Sequence, residues 1–393
     1  MKISLVLLCS LSFFALLPVR SSLAMPAPQL VVDDDKKDCP NAAFTHIQDA
    51  VNAASPGSQI HVCKGAYVEQ VTINKPLDIE ADSGAVLMPA SMHANATSLS
   101  SGSPIAAALL VSGATGVTIR GLTIDGANNG ISECAPNLMG IYFQNASGEI
   151  DRVAVRNFKL SVSLNGCQSG TGIFVQSGGG SISEVRIHRS TIHDFQKNGI
   201  TANEIGTSAS IERNVVTGLG PTNGAAQNGI QIGFGASGSI ESNTVTNNVW
   251  SPCTAVSTCT AIATNILVEQ SDNISVKDNV AGISQAGIFI HANQASVLNN
   301  KTFATFVFDG IHIEGDAAQV KRNDLFNGAQ SGIFLDGNNN VVEHNVITEA
   351  AIGILKSVSS AGNLIRFNEV FDSPVAVQDP ASPKLSTLVA PLR

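Results

Sequence analysis

Residues 309–323 read "DGIHIEGDAAQVKRN" and residues 331–345 read "SGIFLDGNNNVVEHN", so one apolar pattern returns after 22 residues. Each stretch places Gly-Ile, skips one residue and places a second apolar side chain. After a turn, a Val follows, with Asn three positions beyond it. The apolar residues alternate with polar ones over three to five positions, which is the period of a strand and not of a helix.

Working outward, the Gly-Ile pair recurs at Gly140, Gly172, Gly199, Gly229, Gly287, Gly310, Gly332 and Gly353, with Asn265-Ile266 filling the one gap. The last spacings are 22, 23, 22 and 21 residues, and the earlier ones run from 27 to 36, as insertions into a common unit require. A second landmark, Asn three positions after a β-branched residue, falls at Asn214, Asn243, Asn279, Asn300, Asn323, Asn345 and Asn368. A repeat of 22 residues is too short for a helical hairpin unit of about 34 residues. It does hold three short strands and three turns. Stacked units place equivalent strands ~4.8 Å apart, parallel and in register. Asn suits the corners, because it tolerates the left-handed conformation and its amide reaches the next rung. The expected fold is therefore all-β, a single parallel solenoid. On adjacent rungs Lys321, Glu343 and Arg366 alternate in sign.

The pattern resembles the right-handed parallel β-helix repeat family, the pectin-lyase-like superfold, over residues 105–378. The segment "FTHIQDAVNAASPGSQIHVCKGAYVEQVTINKPLDIEA" resembles the N-terminal cap of pectin methylesterases and NosD-like proteins. In that cap a short amphipathic helix, here Ile47, Ala50, Val51 and Ala54, covers the open first rung. Tyr67 and Glu69 are then cap residues. The expected organisation is a signal peptide at 1–24, a linker at 25–40, the cap and first rungs at 41–104, β-helix repeats at 105–378 and a tail at 379–393.

Composition agrees with an exported protein. Lys2, the apolar run "ISLVLLCSLSFFALL" and Ser22-Leu23-Ala24 form a cleavable secretory signal. Cleavage removes Lys2 and Arg20 and takes the formal charge from −9 to −9 − 2 = −11. So acidic a chain is a poor nucleic-acid binder. It also repels acidic polysaccharides unless a divalent cation bridges them. No later segment is long and apolar enough to span a membrane, and the expected state is a secreted or periplasmic monomer. Six cysteines remain, an even count that suggests disulfides. Pairing of sequence neighbours gives Cys39–Cys63, Cys134–Cys167 and Cys253–Cys259. No Cys-x-x-Cys occurs, so no metal site is expected from them.

If the Ile positions of Gly-Ile-x-Ile point inward, the residues between and after them point outward. One outward column then holds Glu269, His291, Glu314 and Asp336, and the other sets His312 between Phe289 and Phe334. Neighbouring carboxylates suit glycosidic chemistry. A retaining pair needs about 5–5.5 Å, near one rung, and an inverting pair needs about 6.5–9.5 Å, nearer two. Like charges should push one carboxyl pKa upward. The phenyl rings offer faces to sugars, and the carboxylates suit Ca²⁺ as well, with no other cofactor expected. A solvated ladder on an exposed sheet accounts for the same residues. Trp250, with the close pair Cys253 and Cys259, marks an inserted loop placed to wall a sugar groove or to fold over its own side chain. The signatures of specific β-helix enzymes are missing: no Gln-Asp-Thr, no Gly-Asp-Asp with Gly-His-Gly, no Asp-Pro-His-Asp. The expectation is a polysaccharide hydrolase or lyase at Glu269, His291, Glu314, Asp336 and His312. The alternative is a non-catalytic module that binds glycans or cell surfaces.

Overall fold

The computed structural model describes residues 29–379. The stretch 1–24, expected to be a signal peptide, lies outside that span, as does the expected tail beyond Asp379. One turn of the chain comprises the strands Gln319–Lys321, Asp324–Gly328 and Ser331–Leu335, and the next comprises Val341–Glu343, Val346–Thr348 and Ile352–Lys356. Equivalent strands pair parallel, with Val320 opposite Val342, Leu325 opposite Ile347 and Ile333 opposite Ile354. Repetition of this turn builds three sheets of 13, 12 and 13 strands among the described residues, a parallel β-helix with one continuous core. Like residues stack inside it: Ile288, Ile311, Ile333 and Ile354 are fully buried on successive rungs.

The Gly of each Gly-Ile pair has a steric cause. A Cβ on Gly332 would lie 2.8 Å from the Gly353 carbonyl oxygen of the next rung and 2.4 Å from Cγ2 of Ile347. The Asn landmarks form a buried ladder at the corner between the first and second sheets. Asn300 accepts from the backbone N–H and the side-chain amide of Asn279, at 2.9 and 3.0 Å. It donates in turn to Val276 O and to Asn323 Oδ1, at 2.9 and 3.1 Å. The left-handed residue at each corner is not the Asn, as expected from sequence, but its predecessor: Asn299, Arg322 and His344 have φ of 55°, 56° and 58°. The reason is the amide itself. It must point inward to reach the neighbouring rungs, so the exposed residue before it turns the chain.

Lys321 and Arg366 both bond Glu343 from adjacent rungs, at 2.8 and 2.9 Å. The Lys321 hydrogen bond, then that of Arg366, holds the Glu343 carboxyl down at about 2, against an ordinary 4.5. A depressed carboxylate contributes stability above its unfolded pKa and loses it as pH falls through its folded pKa. The melting temperature of Glu343→Gln should therefore lie below that of the parent at neutral pH and approach it as pH drops from 4.5 toward 2. A gap that stays constant over that interval would show that this triplet is not what titrates.

The helix Ile47–Ala53 covers the first rung with Ile47, Ala50 and Val51 buried. Glu69 caps it from outside the helix, accepting from the N–H groups of Ile47 and Gln48 at 2.7 and 2.9 Å. Tyr67 donates its hydroxyl to Cys63 O at 2.7 Å. Both residues thus belong to the cap. The stretch 25–40, read as a linker, needs a correction. Leu30–Val32 is a strand paired with Ser58–Val62, and Asp33 is fully buried with its carboxylate on the N–H groups of Asp35, Lys36 and Cys39. The disulfides are Cys39–Cys63, Cys134–Cys167 and Cys253–Cys259.

Candidate active site

The third sheet carries both outward columns in register. Glu269 stands opposite His291, Phe289 opposite His312, and His312 opposite Phe334. Glu314 and Asp336 each follow the next inward residue, Ile313 and Leu335, which are themselves paired.

His312 organises the cluster. Its ring is buried between Phe289, stacked at 4.2 Å, and Phe334, at 4.5 Å. Nδ1 lies 2.7 Å from Asp309 Oδ2, and Nε2 lies 3.1 Å from Glu314 Oε1. A carboxylate beside each nitrogen favours the doubly protonated ring. Burial alone would lower the His312 pKa, but the hydrogen bonds to Asp309 and Glu314 outweigh it, and the net shift is upward. Asp309 is fully buried and also accepts from the Ser331 hydroxyl. The sequence reading missed Asp309. The available signal was a charge directly before Gly-Ile, where neighbouring rungs carry Thr264, Ala286 and Ser331.

Glu314 is the partly exposed end of this chain of bonds. The hydrogen bond from His312 lowers its pKa, burial opposes this less strongly, and the charges of His312 and His291 add to the lowering. The upward shift expected from stacked carboxylates is thus reversed at Glu314, because a cation is interleaved. His291, about half exposed, bonds Glu269 through Nδ1 at 3.0 Å. Asp336 stands apart from His312 and accepts from Ser359 Oγ at 2.9 Å.

Phe289 and Phe334 each give one face to His312, which leaves at most the other for a ligand. Trp250 anchors the inserted loop. Its indole N–H donates to Gly224 O at 2.8 Å, and its ring packs with Cys253, Val307 and Phe308. Gly224 belongs to a loop that is tied in turn to the 161–168 insertion through Asn165 and Asn223, at 2.9 Å. Residues 259–262 of the stapled loop wall one groove, together with Asn228, Leu267, Glu269 and Phe289. A second groove, beyond the C-terminal ends of the strands, is lined by Gln270, Asp272, His291, Asn293 and Glu314. The column therefore lies between two shallow, open grooves.

Residues 252–386 match the family model described as NosD, periplasmic copper-binding protein. The match lies on the C-terminal rungs of the repeat. No curated protein matches the chain. Among solved structures, the chain is similar to the GH136 lacto-N-biosidase from Eubacterium ramulus, at 13% identity over 87% of this chain and 67% of that one, TM-score 0.52. It is also similar to the A-module of the Azotobacter vinelandii mannuronan C-5 epimerase AlgE4, at 13% identity over 84% and 91%, TM-score 0.49. A third is the DFA-IIIase from Arthrobacter chlorophenolicus A6, at 16% identity over 89% and 87%, TM-score 0.49. At 13% identity the likeness to the lacto-N-biosidase is one of fold.

The matched span does not suit copper. Copper sites need clustered imidazole or soft sulfur ligands. In that span His312 has both nitrogens on carboxylates, His291 has Nδ1 on Glu269, His344 stacks on Phe367, and the two cysteines are joined. The groups of His, Cys, Asp and Glu close enough to share an ion among the described residues are Asp33–Asp34–Asp35 and a set containing the Cys39–Cys63 disulfide, both outside the span. No helix of the described residues is long and apolar enough to cross a membrane.

Proposed function

We propose that this chain is an exported, carbohydrate-active protein that cleaves glycosidic bonds of a polysaccharide at the Glu269, His291, Glu314 and His312 cluster. The carrying observation is the bonded series Asp309–His312–Glu314, a buried charge pair that ends in an exposed carboxylate held ionised. A solvated ladder has no need of the buried pair, which is costly to desolvate. In this reading Glu314 is the general base. It takes a proton from water as the water oxygen adds to the anomeric carbon and the glycosidic C–O bond breaks. The Glu269–His291 pair gives the departing oxygen its proton, with Glu269 two rungs from Glu314, the spacing that attack by water needs. His312 and Asp309 position Glu314. No cofactor takes part in this step. Binding without turnover is the second reading, favoured by the hydrogen-bond partner that each of Glu269, Glu314 and Asp336 already has.

The test is a screen of the purified protein on neutral and acidic polysaccharides, with and without Ca²⁺, reading new reducing ends and the absorbance of unsaturated products. Glu314→Gln should lower turnover by about 10²–10⁴-fold, the usual contribution of a general base. Asp336→Asn should cost much less. Reducing ends without unsaturation mean hydrolysis, and both together mean elimination. An activity indifferent to Glu314→Gln, or none on the panel, would move the protein to the binding reading.

A further inference from the structure

We infer that the groove between the third sheet and the disulfide-stapled loop is a subsite for an uncharged sugar ring, and that the substrate is a neutral glycan and not a polyuronate. This rests on the cleavage reading above, which it extends to the substrate class.

Charge is the first ground. From Phe174 and Gln176 through Leu355 and Ser357, the two outward columns hold three carboxylates, Glu269, Glu314 and Asp336, and no lysine or arginine. Lys356, between Leu355 and Ser357 on the last of these rungs, takes the inward register position opposite Leu335 and bonds Asp379 at 2.7 Å, and Lys197 donates its ammonium to Ala226 O at 2.8 Å. His312 is already neutralised by two carboxylates. A polyuronate would bring a negative charge with every residue to a surface with no free Arg or Lys to receive it, and like-charge juxtaposition costs affinity and encounter rate.

The lining is the second ground. Leu267 and Phe289 give the groove an apolar floor, and Asn228 and Glu269 place polar groups at its edges. Apolar floors with a few convergent polar groups are the usual make-up of small-ligand sites. Asn228 opens onto a network of neutral amides. Its Nδ2 donates to Gln231 Oε1 at 3.3 Å, Gln231 donates to Asn203 Oδ1 at 3.1 Å, and Asn198 donates to Gln231 at 3.2 Å. Oδ1 of Asn198 is buried without a hydrogen-bond partner. An amide both donates and accepts, so such a network matches hydroxyl and acylamino groups, which do the same.

The third ground is rigidity. Cys253–Cys259 closes the loop, and Trp250, Ile262 and Phe308 pack it against the side of the coil, so the wall is in place before a ligand arrives. That lowers the ordering cost of binding. The second groove continues on the far side of Glu269 and His291. A glycan therefore runs along the strands, across the coil axis, with its scissile bond over the cluster.

The test is calorimetric binding of neutral hexasaccharides (cello-, xylo-, manno-, galacto- and fructo-series) and of oligogalacturonate and oligomannuronate to the full chain carrying Glu314→Gln, with turnover of each by the unsubstituted chain measured in parallel. At least one neutral hexasaccharide should bind, and the uronates should not. Asn228→Ala and Phe289→Leu should each weaken the neutral ligand by about 5–20-fold, the loss of one hydrogen bond or one ring face. Having two variants guards against Phe289→Leu acting only through His312. Preference for the uronates, binding of nothing on the panel, or neutral binding unmoved by both substitutions would overturn the subsite. A neutral ligand that is bound, weakened by both substitutions and never cleaved would leave the subsite standing and sink the cleavage reading. Uronate cleavage that depends on Glu314 would do the reverse.

Discussion

Asn300→Ala is expected to destabilise the coil by about 3–5 kcal/mol, because it leaves several buried polar groups unpaired at about 1–3 kcal/mol each. The N–H of Asn279 loses its acceptor, Val276 O loses a donor, and Asn323 Oδ1 loses one of two donors. No water reaches this corner to compensate, since Asn279, Asn300 and Asn323 are all 1% exposed. Asn368→Ala, at the partly exposed end of the same ladder, should cost less, about 1–2 kcal/mol, because the groups it leaves, Asn345 N–H and Nδ2 and Val342 O, lie nearer solvent. Urea unfolding gives both numbers from the midpoints. Because each rung touches only its neighbours, the central substitution should also divide the transition into two. A loss below about 1 kcal/mol at Asn300 would mean that packing alone holds the rungs.

The second large effect is expected at Asp309. Asp309→Ala removes the counter-charge from a buried imidazolium, and breaking such a pair by deleting one partner typically costs about 3–5 kcal/mol. The pH dependence should change sign as well. In the parent, the His312 pKa is raised, so its contribution is full below the unfolded histidine pKa and is lost as pH rises through the folded one. In the variant, burial lowers the pKa and Glu314 is the only carboxylate still bonded to the ring. The charged ring then opposes folding, and stability should rise with pH over the same range. Glu314, no longer beside a cation, should titrate at higher pH. Proton NMR titration of the histidines together with denaturation at several pH values measures each step. An unchanged His312 titration would show that Asp309 is not what holds the charge.

The coil, the cap, the three disulfides and the Lys321–Glu343–Arg366 column were legible in the sequence, because each follows from a repeat seen along the chain. A period of about 22 residues fixes which side chains stack, and a sign alternation at a stacked position fixes an ion pair. What escaped depends on contacts that no period encodes. Asp309 lies outside the alternating strand positions, and only its bonds to Ser331 and His312 show its place. Phe289 and Phe334 were legible as the neighbours of His312, but they looked like free platforms because spacing does not say how the three rings turn, and only the stacking shows that one face of each is taken. Trp250 was as compatible with a groove wall as with an anchor until Gly224, a residue from another insertion, was placed against it. Leu30–Val32 is too short a strand to announce itself, and only its pairing with Ser58–Val62 defines it.

The Asn ladder has one further implication, for how the chain finds its alignment. Every amide in it makes the same bonds to the amide above and the amide below, so a rung displaced by one place would satisfy the ladder equally well. The ladder sets a pitch but carries no address. Addresses must come from side chains that occur once: the charge of Asp309 beneath His312, the indole of Trp250 on Gly224, the joined Cys134 and Cys167. The irregular features of this protein thus number its otherwise interchangeable turns, and a variant stripped of them should keep its spacing and lose its count.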